Sequence, residues 1–155
     1  MDKASTPTDQ KAALKLASAV STAMYGHDRA TQAMGMELEQ VGPGHARMNM
    51  TVRPDMLNGH QICHGGYLFA LADSAFAYAC NSYNYKTVGV ACSIDFLAPG
   101  RLGDVLSAEA TEQSQLGKNG IYDVKIRNQR GQTLALFRGK SLRIAGEVYP
   151  LDQPI

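Results

Sequence analysis

The chain has 155 residues, 45% of them hydrophobic and 19% charged, which suits one domain with a real core and is too apolar for a disordered segment. Fifteen Lys and Arg against fourteen Asp and Glu leave a formal net charge of +1, without the basic excess of a nucleic-acid binder, although a short basic cluster would still suit a small anionic ligand. Lys11, Lys15, Asp2 and Asp9 interrupt the N-terminal stretch and no run of about eighteen apolar residues occurs, so neither a signal peptide nor a membrane span is expected.

Residues 1–9 are polar and include Pro7, and are predicted to form a loose tail ahead of a single domain over 10–145, with 146–155 as a C-terminal tail. Thr8 or Asp9 is placed to cap a helix over 10–25, whose Ala13, Leu14, Ala17, Val20 and Met24 recur at helical spacing. Asp28 is placed to cap a short second helix through Met34, stopped at Gly35. Met36–Val41 and His45–Arg53 alternate apolar and polar residues around a "GPG" turn, which predicts two strands, the second ended by Pro54. A loop, "DMLNGHQICHGG", leads into Gly66–Cys80, where every residue but Asp73 is apolar, small or aromatic. Its five alanines favour helix. At 1.5 Å per residue it is about 22 Å long, and buried on most sides.

The remainder predicts strands: "KTVGVACSIDFLAP", "DVLSAEATEQSQ", "IYDVKIRNQRG" and "QTLALFRGKSLRI", with a turn at "LGKNG". The fold class is therefore α+β, with an antiparallel sheet of about six strands wrapped around one long central helix and helices at the N-terminus. Short turns among the last four strands predict a meander.

Asp73 is the residue that this pattern does not explain. A mid-helix Asp commonly faces solvent, but here Phe69, Ala70, Phe76 and Ala77 would be exposed with it. A carboxylate among apolar groups has its pKa raised or finds donors, and such groups are candidates for general-base or nucleophile roles. At the start of the same helix, "HGG" over 64–66 places two glycines where first-turn N–H groups lack partners. That is a candidate oxyanion hole, or a plain turn. Gly65 and Asp73 lie roughly 12 Å apart along one axis, too far for a single carbonyl to touch both. Two such helices packed antiparallel across a twofold would join Asp73 of one chain to Gly65 of the other.

The segments "NGH…CHGGYLFALADSAFAYACNS", "SIDFLAPGRLGD" and "GKNGIYDVKIRNQRGQTLALFRGKS" resemble the hot-dog-fold acyl-CoA thioesterases, most of all the phenylacetic acid degradation thioesterase branch, from about Met24 to Ile144. The resemblance implies a hot-dog fold, a homodimer with shared active sites assembling as a dimer of dimers, and hydrolysis of aryl-acetyl-CoA to free acid and CoA with no metal or cofactor. It assigns Asp73 as nucleophile or base, Gly65 as the N–H that polarises the thioester carbonyl, and His64 and Asn58 as residues shaping the pocket or placing water. Plainer readings are a structural hydrogen-bonder for His64 and a turn residue for Asn58. Gly66 is expected to line the substrate path. Lys118 and Asn119 are the leading candidates for holding the CoA nucleotide, with Arg101 and Arg138 behind them. Tyr67, Phe69, Phe76 and Phe96 are candidates for the acyl pocket, or simply core. Competing functions are an acyl-thioester dehydratase or hydratase and a non-catalytic acyl-CoA-binding module. Cys63, Cys80 and Cys92 are odd in number and lack CxxC spacing, which suits reduced thiols in the cytoplasm.

Overall fold

The computed structural model describes residues 6–155. Helix α1 spans Pro7–His27. Its cap is Thr6 rather than Thr8 or Asp9: the Asp9 N–H donates to Thr6 Oγ1 at 3.2 Å and the Thr6 N–H donates to the Asp9 carboxylate at 3.0 Å. That reciprocal pair needs an acid three residues after the cap, and proline fits the first helical position. The helix therefore starts three residues before the predicted 10. Of the predicted tail, residues 1–5 lie outside the described residues.

Asp28 caps α2, Arg29–Ala33, by accepting the Thr31 N–H at 3.1 Å. The strands are β1, Glu37–Gly42, β2, His45–Thr51, β3, Tyr85–Phe96, β4, Val105–Leu116, β5, Asn119–Arg127, and β6, Thr133–Glu147, and the long helix α3 covers Gly65–Asn81 between β2 and β3. All neighbouring strands pair antiparallel, in the order β1-β2-β4-β5-β6-β3.

That order corrects the predicted four-strand meander. β4, β5 and β6 do form one, but β3 lies beyond β6 at the far edge. The connection over 97–104 makes this possible. Its eight residues reach up to about 26 Å when extended, against roughly 14 Å for three interstrand spacings. It runs across the end of the sheet. The Leu97 N–H donates to Leu134 O at 2.8 Å, the Cys63 N–H to Gly100 O at 2.8 Å and the Val52 N–H to Asp104 O at 2.9 Å. Asp104, 3% exposed, anchors it by accepting the Arg101 N–H (2.9 Å), the Gln129 amide (2.9 Å) and the Arg130 guanidinium (3.2 Å). Burial alone would raise the Asp104 pKa, but these donors leave it below the ordinary carboxylate value.

The concave face of the sheet wraps α3. Leu68, Leu71, Ala72, Ala75, Phe76 and Ala79 are buried against it in one continuous core. Phe76 sits where only glycine fits opposite: a Cβ at Gly139 would lie 2.8 Å from its ring. β1 is backed by α1, whereas β3 ends the sheet with nothing beyond it in the chain and leaves Val88 and Val90 43% and 51% exposed.

Candidate active site

The segment before α3 is folded tightly by its own polar groups. The Asn58 N–H donates to Ile62 O at 2.9 Å, and Asn58 Oδ1 accepts the His60 and Ile62 N–H groups at 2.9 and 3.3 Å. The His64 N–H donates to Met56 O at 2.8 Å. Asn58 is thus a turn residue, and its side chain also lines a cavity at the start of α3. His64 is the N-cap of α3: its Nδ1 accepts the Gly66 N–H at 2.8 Å, which makes it a structural hydrogen-bonder with an exposed ring. Gly66 therefore has its N–H occupied by His64. The Gly65 N–H, at the first helical position, has no partner among the described residues and carries the positive end of the helix dipole.

The cavity holds about 530 Å³ and is bounded by Asn58, Ile62, Cys63, Gly65, Leu68 and the Phe96–Pro99 stretch. Burial pushes the Cys63 thiol up to about 11, so this sulfur stays protonated at neutral pH. Of the four rings proposed for the acyl pocket, only Phe96 lines this cavity. Phe69 packs edge-on to Phe137 at 5.4 Å, Phe76 lies buried against Tyr122 and Phe137, and Tyr67 meets the His64 ring at 6.5 Å.

Asp73 is not covered by its own chain. Gly66, Ala70, Asp73 and Ala77 follow one another along the least covered stripe of α3, where Ala70 and Ala77 are half-buried and Gly66 and Asp73 are exposed. The burial expected from its apolar neighbours fails because the six strands enclose only part of the helix. Partial burial still raises the Asp73 carboxyl above the ordinary value. Burial raises the pKa of Cys92 on β3 and the Asp73 charge raises it further, so the carboxylate is within electrostatic reach of the open edge strand. The adjacent Ser74 turns the other way, with its hydroxyl 3.3 Å from that of Thr31.

Lys118 and Asn119 sit exposed at the tip of the β4–β5 hairpin, at the opposite end of the sheet from Gly65. The Arg143 N–H donates to Lys118 O at 2.8 Å, and Asn119 pairs with Leu142 on β6, whereas the Gly65 end lies at the level of Leu134. Eight residues of strand separate the two, roughly 27 Å. Beside this hairpin stands a further cation, Arg143, whose guanidinium lies 4.4 Å above the Tyr85 ring; its place in a strand gave no sequence signal. Arg138, one of the guanidinium groups considered for the CoA nucleotide, forms a two-pronged pair with Asp123 at 2.7 and 2.8 Å. Among the described residues, no three His, Cys, Asp or Glu side chains gather as metal ligands.

A central helix wrapped by an antiparallel sheet, with an unpartnered amide at its start and a perturbed carboxylate two turns on, defines a hot-dog hydrolase. The chain belongs to the thioesterase superfamily, whose model matches residues 60–135. It is 52% identical over 126 residues to the acyl-coenzyme A thioesterase PaaI of Escherichia coli, spanning 81% of this chain and 90% of that one. The structure of that PaaI protein, from the phenylacetic acid degradation operon, superposes with a TM-score of 0.85, covering 86% of this chain and 97% of the other at 50% identity. A hypothetical thioesterase protein from Streptococcus pneumoniae solved with coenzyme A gives a TM-score of 0.70 at 28% identity, covering 72% of this chain and 90% of the other.

Proposed function

We propose that this protein hydrolyses acyl-CoA thioesters, with aryl-acetyl-CoA as the preferred class, to the free acid and CoA. The observation that carries the reading is the unpartnered Gly65 N–H facing an apolar cavity. The thioester oxygen accepts this N–H, and as the carbonyl carbon becomes tetrahedral the added negative charge is held by the amide and the helix dipole. The attacking group is the Asp73 carboxylate of a second protomer, or a water that it deprotonates. The C–S bond then breaks and CoA leaves as thiolate, needing no strong general acid. Water supplies the oxygen and proton that complete acid and thiol.

Two observations support a second protomer. Asp73 is about 12 Å from Gly65 along one helix, and it borders the bare edge of β3. Antiparallel pairing of two β3 strands across a twofold would continue the sheet, cover Val88 and Val90, and bring each Asp73 toward the other chain's Gly65. The same pairing brings Lys118, Asn119 and Arg143 toward the other chain's site, where a CoA phosphate would meet them. Such a homodimer, doubled into a dimer of dimers, works without a metal or cofactor. Its three free cysteines suit the cytoplasm, and no described helix is long and apolar enough to cross a membrane.

The test is thiol release from phenylacetyl-CoA, with mixed dimers made from Asp73→Asn and Gly65→Asp chains. Neither parent is active alone. Shared sites predict recovery of about one site in two per mixed dimer, whereas a site built within one chain predicts none. Double-bond chemistry in place of thiol release would point to a dehydratase, and binding without turnover to a carrier module. Oxygen-18 from solvent, traced through a single turnover, separates an anhydride on Asp73 from direct attack by water.

A further inference from the structure

Resting on the thioester-hydrolase reading, we propose that Phe96 is a specificity-determining residue of the site, its ring being the aromatic wall that selects aryl over alkyl acyl groups.

Phe96 is the last residue of β3, where the chain leaves the sheet for the 97–104 crossing. A Cβ built on Gly65 would lie 2.9 Å from Phe96 Cζ and 3.2 Å from its Cε1. The tip of the ring therefore rests on the residue whose N–H faces the reacting carbonyl. The group that enters beside that carbonyl is the acyl chain, so the first surface it meets is this ring. The rest of the wall is aliphatic or sulfur-bearing, from Ile62, Cys63, Leu68, Leu97 and Ala98, with Asn58 as the polar side chain. Phe96 is 55% exposed within one chain, in contrast to Phe76 at 1% and Phe137 at 3%, so this chain's own core does not account for an aromatic here; at the end of β3 the ring also stands beside the proposed two-strand seam, and its contact with Gly65 is what ties it to the site. The crossing loop, anchored through Asp104, fixes where the ring stands.

An alkyl chain gains from this wall only in proportion to the area it covers, as it would from leucine. An aryl group gains in addition the offset or edge-to-face preference of paired rings. The ring contact thus acts on the ratio between two substrates rather than on turnover as a whole.

The experiment compares kcat/KM for phenylacetyl-CoA and hexanoyl-CoA in the wild type, Phe96→Leu and Phe96→Tyr. Phe96→Leu is expected to lower the phenylacetyl value about tenfold while leaving the hexanoyl value within about threefold. Phe96→Tyr keeps the wild-type ratio. Equal losses on both substrates would mean that the ring only props the helix start, and no loss would mean that the acyl group lies elsewhere; either overturns the proposal. Direct binding of phenylacetate and of hexanoate, measured by calorimetry, gives a second readout independent of turnover, with only phenylacetate expected to weaken in Phe96→Leu. A wild type that releases thiol from neither substrate sinks the hydrolase reading itself, whereas an active enzyme with an unchanged ratio sinks the role of Phe96 alone.

Discussion

The two ends of α3 are built on opposite plans. At the C-terminal end the polar side chains close on the protein itself. Asn81 donates to Ala77 O and Thr87 O at 2.9 and 3.0 Å and accepts the Thr87 N–H at 3.0 Å. Ser82 accepts the Gly44 N–H at 2.8 Å, and Asn84 forms a two-way pair with the Tyr149 backbone at 2.9 and 2.7 Å. Ser141 Oγ is the exception there, buried without a partner. At the N-terminal end the Gly65 amide is unpartnered, a large ring stands exposed and a cavity opens. Asn58 and His64 close on the protein here too, through the His60, Ile62 and Gly66 N–H groups, so the difference between the ends is the single free Gly65 amide beside an open cavity. Closed networks and open sites are therefore separable on a single helix, and substitutions at the two ends should fail in different ways.

The largest expected effect is at Asp73. Asp73→Asn should lower kcat by about 10²–10⁴-fold, measured by thiol release, with circular dichroism unchanged. Its thermal midpoint at pH 7 should not fall. The raised carboxyl pKa means that ionisation costs the folded state stability, a cost absent below the unfolded pKa and complete above the folded one; removing the charge removes it. A large loss of thermal stability in this variant would contradict the carboxylate's placement.

Next in size is Asn81→Ala, at the closed end. Three hydrogen bonds are lost, two of them buried, and the Thr87 backbone groups lose their Asn81 partner, so urea denaturation should show a loss of about 3 kcal/mol. Thiol release per folded molecule should stay near the wild-type value. A fall in kcat without a fall in stability would erase the contrast between the two ends.

His64→Ala removes the helix cap, at about 1 kcal/mol of stability, and frees the Gly66 N–H. Because that amide is then available beside Gly65, the variant should change KM and kcat as well, so both readouts move where Asn81→Ala moves one. The smallest effect concerns pH. The active form carries ionised Asp73, so kcat/KM should fall on acidification, with its midpoint above that of an ordinary Asp. An acid limb at or below the ordinary value would assign it to another group.

Much of this molecule was legible locally. Alanine-rich spacing announced α3 to within one residue at each end, Asp28 was readable as the cap of α2, alternation marked β1, β2 and β3, and turns set off the last three strands. The "NGH" and "HGG" stretches located the helix start at which Asn58, His64 and Gly65 converge. Thr6 was missed as a cap because Pro7 and the polar stretch read as tail, although the Thr6–Asp9 spacing carried the capping-box signal. Asp73 stood out as the one charged residue of α3, but its surroundings were misread: a helix apolar on nearly every side says nothing of which side the sheet covers.

What the sequence determined by itself is therefore what depends on neighbours a few residues apart: periodicity, caps, turns and the chemical types available at the helix start. Only the tertiary structure decided that β3 lies beyond β6, that Asp73 borders an open edge, that Lys118 stands at the far end of the sheet from Gly65, and that Phe96 rests on that glycine. Strands with similar alternation are interchangeable to any local rule. Their order is chosen by burial summed over the whole sheet and by how far the 97–104 connection reaches, and no window of residues contains either quantity.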